Sequence, residues 1–93
     1  MSDKSPAVLT VHLRYLSAIR DRTGRRSDEL TLPTGSTLGA VSSWLAATYR
    51  LEVPGPSLMA TLNGRGWSQV PQGLAAELHG GDEIALFPML SGG

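Results

Sequence analysis

The first regular pattern along the chain is an alternation. In VLTVHLRYL, Leu9, Val11, Leu13 and Tyr15 fall on one side, and Thr10, His12 and Arg14 on the other. A period of two over eight residues predicts a half-buried β-strand. Charged SAIRDRTGRR follows and ends in a glycine turn, and then Ser27 to Leu32 reads as a second strand closed by Pro33. These two strands predict a hairpin with a long connection. The period then lengthens. Leu38, Val41, Leu45 and Tyr49 fall within a narrow arc at 100° per residue, which predicts one amphipathic helix capped by Ser36 or Thr34, with Trp44 on its flank. Val53-Pro54-Gly55-Pro56 breaks the chain, and Leu58 to Leu62 is a third strand. Asn63-Gly64 is a two-residue hairpin signal, because both residues tolerate positive φ. Gly66 to Val70 returns as a brief strand, Leu74 to Leu78 makes a short helical turn, and Glu83 to Phe87 is the last strand.

The order is two strands, one helix, a strand, a short strand and a last strand. It predicts an α+β chain of β-grasp type, with a mixed sheet of four to five strands packed on one main helix. The last strand is expected beside the first, with Ile84 and Leu86 facing inward with Val11 and Leu13. The expected organisation is a flexible segment over residues 1–7, a β-grasp domain over 8–88 and a flexible tail over 89–93.

Composition removes several classes of function. A chain of 93 residues with 41% hydrophobic residues is long enough for one modest core. The formal net charge is zero, which gives no reason to expect nucleic acid or an anionic membrane surface as a partner. There are no cysteines, so disulfides, thiolate zinc sites, iron–sulfur clusters and a thiol nucleophile are excluded. His12 and His79 lack the company a metal site needs, and no catalytic triad, carboxylate pair or cofactor fingerprint occurs at recognisable spacing. The N-terminus has no signal-peptide pattern and no apolar run approaches a membrane span, so the expected compartment is the cytoplasm. Arg20, Arg22, Arg25 and Arg26 form a basic loop, read either as a solvated segment or as a contact for an acidic partner. Trp67 reads equally as partner surface or as a lid on the core.

The end of the chain carries the candidate chemistry. An apolar strand runs through Leu86-Phe87-Pro88-Met89-Leu90 into Ser91-Gly92-Gly93. A terminal Gly-Gly alone could be a loose end or a trimmed linker. Glycines also let the walls of a narrow channel approach closely and leave the terminal carbonyl carbon open to attack. Residues 88–93 reach about 20 Å when extended, enough to cross such a channel. A carboxylate is a poor electrophile and must first be activated, typically as an acyl adenylate. Phe87 alternates away from Ile84 and Leu86, so it is expected to be exposed, and with Pro88, Met89, Leu90 and Ser91 it forms an expected partner surface.

Four stretches together resemble one family across nearly the whole chain: VHLRYL, LPTGSTLGAV, TLNGRGW and GDEIALFPMLSGG. The chain is similar to the ubiquitin-like sulfur carriers of the MoaD/ThiS type, and most to the small subunit of molybdopterin synthase. The common family ending is closer to LFPPVAGG. Met89 stands here for the second proline, and Leu90-Ser91 for Val-Ala. The resemblance implies a carrier without turnover of its own and without a bound cofactor. An E1-like adenylating enzyme would use ATP to adenylate Gly93, with Gly92 keeping the tail unhindered. A persulfide sulfurtransferase would supply sulfur to give a C-terminal thiocarboxylate, and a synthase large subunit would accept it. Carriers in thiamine, cysteine or other sulfur metabolism are alternatives, as is a ubiquitin-like modifier joined to lysine through Gly93. A β-grasp interaction module with an idle tail is the remaining one.

Overall fold

The computed structural model describes residues 7–89. Strand β1 (Val8–Tyr15) is followed by a short helix α1 (Ala18–Thr23), strand β2 (Ser27–Pro33), the main helix α2 (Leu38–Tyr49), strand β3 (Leu58–Leu62), strand β4 (Arg65–Gly66) and strand β5 (Glu83–Pro88). The sheet order is β2-β1-β5-β3-β4, with β1 and β5 parallel and the other pairs antiparallel. This is the expected β-grasp, with the last strand central. Leu13 lies opposite Ile84 and Tyr15 opposite Leu86, and all four are buried, as is Val11.

Helix α2 lays Leu38, Val41 and Leu45 on the inner face of the sheet, each without solvent exposure. Tyr49 continues this face half-buried, and Trp44 flanks it with its ring edge-on to Tyr49 at 5.7 Å. The expected cap is replaced. The N-cap is Thr37, whose side chain makes no capping hydrogen bond. Instead the Leu38 N–H donates to the Ala76 carbonyl at 3.0 Å, and the Leu78 N–H donates to the Ser36 carbonyl at 2.8 Å. A passing chain segment thus satisfies a helix end that a local side chain would otherwise serve. It runs close enough that a Cβ at Gly39 would stand 3.3 Å from the Leu74 carbonyl oxygen. At the other end Arg50 takes the left-handed conformation (φ 58°) and its N–H returns to the Ala46 carbonyl.

The structure departs from the sequence expectation at three further places. The connection after β1 is not all loop: Ala18–Thr23 is helical, anchored by buried Ile19. The strand expected over Gly66 to Val70 stops at Gly66, and Trp67–Gln69 forms a 3₁₀ turn that buries Trp67. The core is wider than the helix–sheet interface, because Leu51, Val53, Trp67, Ala76 and Leu78 also join it. The Asn63-Gly64 turn is as expected, with φ of 52° and 87°. Gly81, also at positive φ (88°), shapes the turn into β5 and donates its N–H to Thr10.

One carboxylate ties the edge strand to the helix. Asp28 lies on β2 opposite Leu13, only 14% exposed, and points to the inner side. Its Oδ2 accepts hydrogen bonds from the Tyr15 hydroxyl (2.8 Å) and the Tyr49 hydroxyl (2.5 Å), and its Oδ1 meets Arg25 Nε at 2.8 Å. The two tyrosine rings meet edge to face at 5.7 Å. Burial, reinforced by the hydrogen bond to Asp28, pushes the Tyr15 phenol far above its ordinary value.

Asp28→Ala should cost about 2–4 kcal/mol, read from urea unfolding, because two hydroxyls lose a charged acceptor at once. Tyr15 also sets an alkaline limit. A pKa raised in the folded state favours folding at every pH below the unfolded phenol value, about 10, and that contribution is lost as the pH climbs above it. The urea midpoint should therefore fall above about pH 10, and Tyr15→Phe should flatten that fall. An equally steep fall in the variant would contradict this account.

Candidate functional site

β5 is where the fold meets the tail. Ile84 and Leu86 point into the core, so Ala85 and Phe87 fall on the outer face. Antiparallel pairing sets Phe87 opposite Met59 and Pro88 opposite Leu58. Phe87 is half-buried, where the sequence pattern predicts an exposed ring. The face is as expected, and the difference is its place on a central strand, with β3 on one side and β1 on the other. Pro88 is also half-buried and ends the strand, having no N–H to extend the ladder. The Met89 N–H donates to the Ser57 carbonyl at 3.1 Å, which holds the chain against the loop before β3 as it leaves the sheet.

The surface around this exit is apolar. Met59 is 42% exposed and Met89 45% exposed. Both border a cleft of about 180 Å³ whose wall includes Pro54, Leu58 and Trp67. On the other side of β5, the Leu16 N–H donates to the Leu86 carbonyl at 3.0 Å, and the Leu16 side chain is also exposed. Methionine and leucine around one half-buried aromatic ring make an adaptable, exposed apolar platform. Of the sequence-predicted site residues, the structure places Phe87, Pro88 and Met89 together on this platform. Leu90, Ser91, Gly92 and Gly93 lie outside the described residues.

Met59 and Leu16 complete the platform, and sequence reasoning passed over both. The register was the usable signal for Met59: a strand pairing antiparallel with β5 must set some residue opposite Phe87. Trp67 is resolved as a lid on the core, 6% exposed, and its indole N–H has no hydrogen-bond partner among the described residues. His12 sits half-buried on the outer face with Nδ1 3.4 Å from Glu29, and His79 is exposed in its turn. Among the described residues, no group of three or more acidic or histidine side chains is placed to hold a metal ion. No helix among them is long and apolar enough to cross a membrane.

Comparison with known proteins places this architecture. In solved structures, the chain is similar to the HVO 2177 protein of Haloferax volcanii, with a TM-score of 0.76 and 26% identity over 100% of this chain and 94% of that one. It is similar to a Pyrococcus furiosus protein described as a candidate molybdopterin converting factor, subunit 1 (TM-score 0.72, 21% identity, 88% and 99% covered). It also matches small archaeal modifier protein 1 from Methanosarcina acetivorans (TM-score 0.71, 21% identity, 95% and 100% covered). A sequence comparison with curated proteins found no match. The model of the ThiS family matches residues 13–93, which takes in β1 from Leu13 onward, the other four strands of the sheet and the segment through Gly93. The chain thus belongs to the ThiS family of ubiquitin-like sulfur carriers.

Proposed function

We propose that the protein carries sulfur as a thiocarboxylate on Gly93. The observation that carries this reading is the apolar platform of Phe87, Met59 and Met89 at the root of a Gly-Gly segment that the family match includes. The Gly93 carboxylate attacks the α-phosphorus of ATP in an E1-like partner, pyrophosphate leaves, and an acyl adenylate forms. A persulfide sulfur on a sulfurtransferase then attacks the acyl carbon and displaces AMP. A partner thiol cleaves the resulting S–S bond, which leaves the thiocarboxylate on the carrier and a disulfide on the partner. The thiocarboxylate sulfur adds to an acceptor carbon held by a synthase large subunit, and water hydrolyses the acyl–sulfur bond, which leaves the sulfur on the acceptor and returns the Gly93 carboxylate. The carrier is a co-substrate throughout. It binds no cofactor, and ATP belongs to the activating enzyme.

The platform's contribution is positional. Docking Phe87 and Met89 fixes the base of the tail, so that Gly93 approaches the nucleotide in a narrow range of orientations. We assign the pathway to molybdopterin synthesis in a cytoplasmic setting. Leu-Phe-Pro ahead of the tail and the likeness to the Pyrococcus protein support that assignment. A second reading, conjugation of Gly93 to lysine, is favoured by the likeness to the archaeal modifier.

The test is the intact mass of the protein isolated from cells that also hold its activating enzyme and a sulfur donor. The expected species is heavier than the free acid by the difference between sulfur and oxygen. Free acid alone, accompanied by Gly-Gly remnants on lysines of other proteins, would replace the carrier reading with the modifier reading. Phe87→Ala should lower stability by about 1 kcal/mol, as for a half-buried ring on the outer face. Its affinity for the activating enzyme should drop by more than about 1 kcal/mol, as for a central aromatic anchor, measured by calorimetry.

A further inference from the structure

Charge is distributed unevenly along a chain whose net charge is zero. Five of the eight cationic residues lie between positions 14 and 26 (Arg14, Arg20, Arg22, Arg25 and Arg26), with Asp21 the only carboxylate among them. The fold gathers these five at one end of the sheet. Arg14 is exposed on the outer face of β1, and its cross-strand neighbours are the uncharged Ser27 and Ala85. Arg20 and Arg22 stand on α1, which buried Ile19 pins against β5. Arg26 leads into β2. Asp28 offers no neutralisation beyond Arg25, because its oxygens are occupied by that residue and the two tyrosine hydroxyls. Among the described residues, Arg14, Arg20, Arg22 and Arg26 have no ion-pair partner.

The parallel pairing of β1 and β5 decides what this corner is near. Both strands run the same way, so the arginine end of β1 lies beside the end of β5 from which the tail departs. Tyr15 is level with Leu86, and Leu16 is bonded to it. A shallow groove of about 520 Å³ crosses this outer face, and it is polarised. At the level of His12 it is flanked by Glu29 and Glu83, and one step along, toward the tail exit, by Arg14, Arg20 and Arg26.

We infer that the arginine corner is a docking surface for an acidic face of the adenylating enzyme, set beside the opening that receives the tail. Charge complementarity and continuity with the tail root select a protein partner that binds both. Exposed charges at the rim of an interface act mainly on the encounter: they steer approach and raise the association rate, with little effect on dissociation. Here they would turn the carrier so that Phe87 and the tail meet the enzyme first.

The inference takes its partner from the carrier reading, and the experiment separates the two. Full-length protein and the triple variant Arg14→Gln, Arg20→Gln, Arg26→Gln are mixed with the E1-like adenylating enzyme of the same host in stopped flow. Circular dichroism confirms that the variant is folded. At about 50 mM salt the variant should associate about tenfold more slowly, with an unchanged dissociation rate, and at about 500 mM the two should coincide. The corresponding triple lysine variant should restore the fast rate. Equal association at low salt, or a difference that survives high salt, would overturn the inference. So would tighter binding of the wild type to a dT20 oligonucleotide or to phosphatidylserine vesicles than to the enzyme. With ATP added, steered association without release of pyrophosphate would leave the docking surface standing and remove the carrier reading. No association by the wild type would remove both.

Discussion

The parallel pairing of β1 with β5 is the constraint on which the rest of this structure depends. It joins the first and last strands at the centre of the sheet, where both inner faces are covered by α2 and each strand has a neighbour on either side. Only apolar side chains suit that inner face, and Val11, Leu13, Ile84 and Leu86 provide them without solvent exposure. Because Leu13 must meet Ile84, everything between them has to close as a loop before the central pair forms. The tail then leaves from the middle of the molecule instead of from a frayed edge. That placement gives it a platform drawn from β3 on one side and from the β1–α1 junction on the other.

Polar groups are managed at the margins of this core. β2 is an edge strand, and it turns a carboxylate inward where an edge would otherwise invite further pairing. Asp28 is tolerated there because two hydroxyls and a guanidinium satisfy it. At the opposite margin, Asn63 Oδ1 accepts the Glu83 N–H at 2.9 Å and its amide donates to Asp82 at 3.0 Å, which fixes the β3–β4 turn against the start of β5. The N-terminus of α2 is closed by backbone from residues 76–78. Each arrangement joins segments far apart in sequence.

That distance explains what could be read before the structure was seen. Alternation in Val8–Tyr15, the helical arc of Leu38, Val41 and Leu45, and Asn63-Gly64 are local signals whose physics is complete within a few residues, and they led to β1, α2, the turn after β3 and the central place of the last strand beside the first. α1 escaped because it spans six residues with one buried side chain, Ile19, amid arginines and aspartate. Leu51 and Val53 sit in a stretch dominated by prolines and glycine, and their burial comes from packing against the core. Thr37 displaced the expected caps once residues 76–78 supplied hydrogen bonds that no local pattern encodes. At the site, the alternation in β5 put Phe87 on the outer face, but its half-burial depends on central placement. Met59 and Leu16 became part of the site only through strand register and the β1–α1 junction.

The direction of the two central strands also bears on how the fold resists mechanical load. A partner that grips the tail pulls β5 along its own axis, away from its start. β1 runs parallel, so tension between the two chain ends would slide these strands past each other lengthwise, loading the hydrogen bonds between them together in shear. A hairpin pulled from its open end would lose its bonds one at a time. The central pair is thus oriented to keep the domain folded under a load applied along β5.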